Sequence, residues 1–159
     1  MSQSPSVKVY IEIEKDSNMK YEYNKQTEVL ELDRILPLPF VYPFAYGFIP
    51  NTLATDGDDL DALIIHPDGT IRMDTIYDAY VVGALRMEDE HGADEKVLCV
   101  LDSDTVVTDT ERATIETFFS TYKNGYAEKW SKTYGFMDQQ EAIALVERCR
   151  QRQADRTAH

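Results

Sequence analysis

The sequence predicts a mainly β domain of the α+β class, and three observations point to it. As far as Val100, apolar side chains recur in short runs at a period of two, separated by turn-forming Gly, Asp and Asn. Helical spacing appears only beyond that point, where two amphipathic stretches are placed to pack on the sheet. No internal repeat or linker-like stretch interrupts the 159 residues, and 43% hydrophobic with 28% charged content is ordinary for a globular unit with a real core. Residues 1–159 therefore read as a single domain.

Val7, Val9, Ile11 and Ile13 alternate with Lys8, Tyr10 and Glu12, the pattern of a half-buried strand with Glu12 on its polar face. Met19 to Tyr23 reads as a second strand, with Lys20 and Glu22 on one face and Met19, Tyr21 and Tyr23 on the other. A turn at Asn24-Lys25-Gln26 leads to a third strand, Glu28 to Leu32, giving an antiparallel meander. Taken alone, Glu12, Lys20 and Glu22 read as a solvent-facing strand surface with cross-strand ion pairs. From Ile35 to Pro50 the chain is apolar and aromatic but carries four prolines and Gly47. That is too broken for a membrane helix and too hydrophobic for a linker, so it reads as an irregular segment across a barrel mouth, with Tyr42 and Tyr46 in the core.

Ala62 to Ile65, Thr70 to Ile76 and Ala79 to Met87 supply further strands, with Asp68-Gly69 as a hairpin turn. Thr108-Asp109-Thr110-Glu111 is a capping box ahead of Ile115, Phe118, Phe119 and Tyr122 at helical spacing, and Gly125 stops the run. Asp138 to Glu141 opens a second helix whose stripe is Ala142, Leu145, Val146 and Cys149, while Arg148, Arg150, Arg152 and Arg156 belong to its solvated end.

A net charge of −13 argues against a nucleic-acid groove, which needs a basic footprint; a small polyanion carried with metal ions stays possible. The N-terminus, Met1 to Ser6, lacks the basic and apolar regions of a signal peptide, which predicts a cytoplasmic protein. Cys99 and Cys149 fall in an apolar run and a helical stripe and read as free, buried thiols.

The densest chemistry lies in Asp56-Gly57-Asp58-Asp59-Leu60-Asp61, four carboxylates in six residues beside the apolar run Leu63-Ile64-Ile65. Crowded carboxylates repel unless splayed into water or bound to a cation, and an oxygen-only set points to magnesium, manganese or calcium rather than zinc. An EF-hand is excluded, because counting from Asp56 places Asp61 where Gly is required and Pro67 where a bidentate Glu is required. A second acidic run, Glu88-Asp89-Glu90-His91-Gly92-Ala93-Asp94-Glu95-Lys96, also borders strand-like sequence, and loops at strand ends can converge. His91 reads as a solvent-facing loop histidine.

These residues stand in order with Glu12, Lys20-Tyr21-Glu22, Asp33-Arg34, Tyr42-Pro43, Tyr46-Gly47 and Tyr122-Lys123. Together they resemble the soluble family I inorganic pyrophosphatases of the short prokaryotic type, over nearly the whole chain. The resemblance implies a five-stranded, OB-like antiparallel barrel flanked by two helices. It further implies a site with several magnesium ions, manganese or zinc being possible substitutes, that hydrolyses pyrophosphate to two phosphates, and a homo-oligomer, expected to be a hexamer, with no nucleic-acid or membrane partner. Carried over position by position, Asp56, Asp61 and Asp94 hold the first metal, Asp61 shares the second, and Asp89 with Asp94 holds one that arrives with the substrate. Asp58 orients and deprotonates the attacking water. Lys20, Arg34, Tyr46, Lys96, Tyr122 and Lys123 grip the phosphates, and Glu12 and Glu22 complete the metal and water shell. Asp59 departs from the family pattern, which usually has Pro or Glu there.

The chemistry asks for such a set on its own terms: attack on a tetra-anion needs its charge neutralised, a water ionised near neutral pH and the leaving phosphate stabilised. A non-catalytic OB-like module binding divalent cations is the competing reading, but it has no use for Lys20, Arg34, Tyr122 and Lys123 beside the acids. An aspartyl-phosphate phosphatase wants an Asp-x-Asp-x-Thr/Val arrangement, which the acidic run lacks.

Overall fold

The computed structural model describes residues 4–67 and 69–158. In chain order its elements are β1 (Ser6–Ile13), β2 (Met19–Asn24), β3 (Val29–Ile35), β4 (Ala45–Ile49), β5 (Leu60–Ile64), β6 (Ile76–Asp89), β7 (Gly92–Ala93), β8 (Lys96–Val100), α1 (Asp109–Thr121), β9 (Ser131–Met137) and α2 (Gln139–Thr157). Strands β1, β4, β5, β8 and β6 pair in that order, and β6 pairs back onto β1, so five strands close an OB-like ring. Every pair in the ring is antiparallel except β5 with β8.

Strands β4, β5 and β8 are buried on both faces, which explains their unbroken apolar runs, whereas the first half of β6 alternates between buried and exposed residues. Alternate residues of β5 and β8 go to opposite cores. Ala62, Ile64, Val97 and Cys99 pack with Ala142, Leu145, Val146 and Cys149 of α2, and Leu63, Leu98 and Val100 pack with Ile115, Phe118 and Phe119 of α1. Each large side chain buried in this way contributes about 1.5–3 kcal/mol. Both cysteines are free and buried, and burial pushes the Cys99 thiol up to about 12. The capping boxes form as the sequence requires, Thr108 with Glu111 and Asp138 with Glu141.

Several expectations are corrected. The polar face of β1 is covered: Tyr10 and Glu12 are both buried, because the β2–β3 ribbon lies against that side. The meander does not form, since β2 and β3 pair only with each other as a separate two-stranded sheet, and the third strand runs from Val29 to Ile35 rather than from Glu28 to Leu32. The Ile35–Pro50 segment is not wholly irregular, for it contains β4, a ring strand between β1 and β5. Its prolines lie outside Ala45–Ile49, and Gly47 is there because a Cβ would fall 1.7 Å from the Tyr10 carbonyl oxygen across the strand pair. Residues 70–75 form no strand; β6 begins at Ile76 and pairs with β1, β8, β9 and β7, so it forms no hairpin with β5. Asp68 of the expected Asp68-Gly69 turn lies outside the described residues, as do Met1 to Gln3. Strand β9, which has little apolar alternation, was not expected. Nor are all the α2 arginines solvated, because Arg152 donates to the Leu53 carbonyl at 2.7 Å and Arg150 to that of Ser6 at 3.3 Å, pinning the helix to the barrel.

Candidate active site

All thirteen side chains singled out in the sequence line one cavity of about 360 Å³ at the barrel mouth. Glu12 comes from β1, Lys20 and Glu22 from β2, Arg34 from β3 and Tyr46 from β4. Asp56 and Asp58 come from the loop before β5, and Asp61 from β5 itself. Asp89 ends β6, Asp94 precedes β8, Lys96 opens β8, and Tyr122 and Lys123 follow α1. The acidic loop is tied down at its base. The Ala54 amide donates to the Asp58 carbonyl at 2.8 Å, the Leu60 amide to the buried Thr52 hydroxyl at 2.9 Å, and the Asp58 amide to Asp56 Oδ1 at 3.0 Å. Gly57 turns the loop with a φ of 95°, in the left-handed region that suits glycine.

Parallel pairing sets Asp61 of β5 opposite Lys96 of β8. Lys96 is 2% exposed, and its Nζ donates to Tyr46 Oη at 2.8 Å, Asp61 Oδ2 at 2.8 Å and Asp94 Oδ2 at 3.0 Å. Burial alone would lower its pKa, but Asp61 and Asp94 outweigh that and hold the ammonium well above the usual lysine range. Lys123 donates to Asp89 Oδ2 at 3.0 Å and to Glu90 Oε1 at 2.9 Å, and Lys20 to Asp33 Oδ2 at 2.8 Å. The tyrosines are fixed by a ring cluster, with Tyr42 to Tyr46 at 5.2 Å, Tyr46 to Phe119 at 5.8 Å and Phe118 to Tyr122 at 5.2 Å between centroids. Burial raises the pKa of Tyr46 and Tyr122, keeping both hydroxyls protonated.

The solved structure of inorganic pyrophosphatase from Thermus thermophilus aligns with a TM-score of 0.89 at 37% identity, covering 94% of this chain and 92% of that one. An inorganic pyrophosphatase of Helicobacter pylori is 40% identical over 155 residues, 90% of this chain and 88% of that protein. A model of the family described as inorganic pyrophosphatase matches residues 9–154. This chain belongs to the inorganic pyrophosphatase family.

As they are placed, no three Asp, Glu, His or Cys side chains among the described residues stand close enough to share one ion. Lysine ammonium groups occupy the gaps, Lys96 between Asp61 and Asp94, and Lys123 between Asp89 and Glu90. The donor set of this chain nevertheless fits hard divalent cations, for ten carboxylates line the cavity against six basic side chains. Their protonation shows the uncompensated charge: burial pushes Glu12 up to about 8, and raises Asp94 and Asp56 as well. Between the ordinary carboxylate range and about 8 the folded chain therefore holds protons that the unfolded chain has released, so metal-free stability should fall as pH rises through that window. Urea midpoints at pH 5 and pH 8 would show this, and magnesium should flatten the difference; a flat profile without metal would contradict it.

Asp58 differs from its neighbours. It is exposed, and its carboxylate meets no hydrogen-bond donor among the described residues. Asp33 and Glu90 have no role in the sequence reading, yet Asp33 neutralises Lys20, with Arg34 Nε also 3.3 Å away. Despite the opposing pull of partial burial, these cations hold Asp33 below the usual carboxylate range. Lys25 and Lys129 also reach the cavity, and no motif or periodicity marks them; Asp59, which the acidic run contains, lines it as well. His91 is exposed at the rim, with its amide donating to Asp89 Oδ1 at 2.8 Å.

Proposed function

We propose that this chain hydrolyses inorganic pyrophosphate to two orthophosphates with magnesium, using Asp58 as the general base. The observation that carries this reading is the meeting, in one cavity, of two acidic loops with the cations Lys20, Arg34, Lys96 and Lys123 and the protonated hydroxyls of Tyr46 and Tyr122. Asp56, Asp61, Asp89 and Asp94, with Glu12 and Glu22 beside them, hold the magnesium ions. Bound there, the ions supply neutralisation of the tetra-anion and acidification of water.

The remaining work falls to the chain's own side chains. Arg34 offers its planar fork to phosphate oxygens, while Lys20, Lys96 and Lys123 act as point charges whose carboxylate partners can be exchanged for phosphate. Tyr46 accepts from Lys96 and so keeps its own proton free to donate to a phosphate oxygen. Asp58 takes the proton of the attacking water as the new P–O bond forms; the bridging P–O bond breaks and the leaving phosphate departs onto the cations. Purified chain with magnesium pyrophosphate should release two orthophosphates per molecule and stop when EDTA is added. Calcium should support far less turnover, because its looser shell positions and acidifies water less well. A chain that binds magnesium but releases no phosphate would instead be a cation-binding module.

We also propose a cytoplasmic homo-oligomer, a hexamer. Two free thiols support a reducing compartment, and among the described residues no helix is long and apolar enough to cross a membrane. Helix α1 presents Thr117 and Thr121 and no histidine, so association should be weaker or differently built than a histidine-bearing contact. Light scattering should give about six times the 18.2 kDa chain mass, and a monomer at working concentration would overturn the assembly alone.

A further inference from the structure

We propose that the ion pair between Lys25 and Asp59 is a latch across the cavity mouth, holding the β2–β3 ribbon over the acidic loop and setting the grip on substrate. The inference rests on the function proposed above. The ribbon is not part of the barrel sheet. On one side it is attached through the Tyr23 amide, which donates to Glu12 Oε2 at 2.8 Å, and through the Tyr23 ring against Tyr10 and Phe48. At its turn, Lys25 to Asp59 is the one side-chain hydrogen bond to the loop among the described residues.

The two partners differ in their surroundings. The Asp59 side chain is 9% exposed and that of Lys25 67%, so a largely desolvated carboxylate is neutralised by a cation reaching in from solvent. One partner belongs to the ribbon that brings Lys20, Glu22 and Arg34, and the other to the loop that brings Asp56 and Asp58 and leads into Asp61 of β5. Holding the two together fixes the separation between the phosphate-gripping cations and the carboxylates opposite. Asp59 is also where the chain departs from the pattern it resembles; of the two residues usual there, Glu could pair with Lys25 and Pro could not. Lys25 and Asp59 are thus positioning residues. Opening the pair lets the ribbon move away while Asp58 and the loop stay in place, so substrate binding weakens and the chemical step does not.

The test compares Lys25→Ala, Asp59→Ala, the double variant and Lys25→Arg. In the metal-free chain, solvent exchange of the Tyr23 amide reports ribbon opening without any turnover. With magnesium and pyrophosphate, KM and kcat are measured separately. Each single Ala variant should raise Tyr23 exchange and KM about two- to five-fold, the scale of a partly exposed ion pair, with kcat held. The double variant should be no worse than the more affected single, and Lys25→Arg should retain wild-type values. Unchanged exchange, additive effects in the double variant, or a loss that falls on kcat would overturn the latch. Absence of pyrophosphate hydrolysis in the wild type would instead sink the functional reading, and the exchange data would still decide the latch.

Discussion

Replacing Asp58 by Asn should lower turnover by about two to four powers of ten, the scale of a lost general base, while magnesium binding persists. Asp58 is exposed and its carboxylate has no donor among the described residues, so the substitution removes a proton acceptor without disturbing the packing around it. Asp61→Asn should differ in kind. It weakens a proposed shared ligand and one of the two carboxylates on Lys96, so magnesium affinity should fall together with rate, and added magnesium should rescue it only in part. Calorimetric titration with magnesium beside a phosphate-release assay separates the two variants. If Asp58→Asn loses metal as severely as Asp61→Asn, Asp58 is a ligand; if it keeps nearly full activity, the base lies elsewhere, with Asp89 the next candidate.

Lys96→Met should produce the largest loss of stability. The ammonium is buried and makes three hydrogen bonds, two of them to carboxylates that the fold keeps side by side. Met fills similar space but leaves Asp61 and Asp94 facing each other without a cation, and breaking a buried pair in this way costs about 3–5 kcal/mol. Urea denaturation of the metal-free chain should show that loss. Magnesium should recover part of it by supplying the missing positive charge, a response that a packing defect would not give. An unchanged midpoint, or a loss indifferent to magnesium, would contradict this account of the centre.

The sequence marked the site more fully than the fold that builds it. Asp56, Asp58 and Asp61 stand out because four carboxylates in six residues are hard to explain without a cation, and their spacing survives whatever backbone carries them. Both helices were legible because capping boxes and apolar stripes are local signals. β4 was hidden because prolines flank it, and its decisive residue, Gly47, is required by the Tyr10 carbonyl of another strand, a contact that no local pattern records. Glu12 was misplaced for a similar reason. Alternation in β1 gives the two faces but cannot show that a separate ribbon covers the polar one. Lys25 has the same difficulty, being an ordinary turn residue until the fold sets Asp59 beside it.

The most direct measurement of the central claim is the rate of orthophosphate release from pyrophosphate as free magnesium is varied. Several ions held by Asp56, Asp61, Asp89 and Asp94 predict a rate of zero in excess EDTA and a rise steeper than first order in magnesium, with two orthophosphates formed per pyrophosphate consumed. Phosphate release that persists at full rate after chelation, or no release at any magnesium concentration, would contradict it.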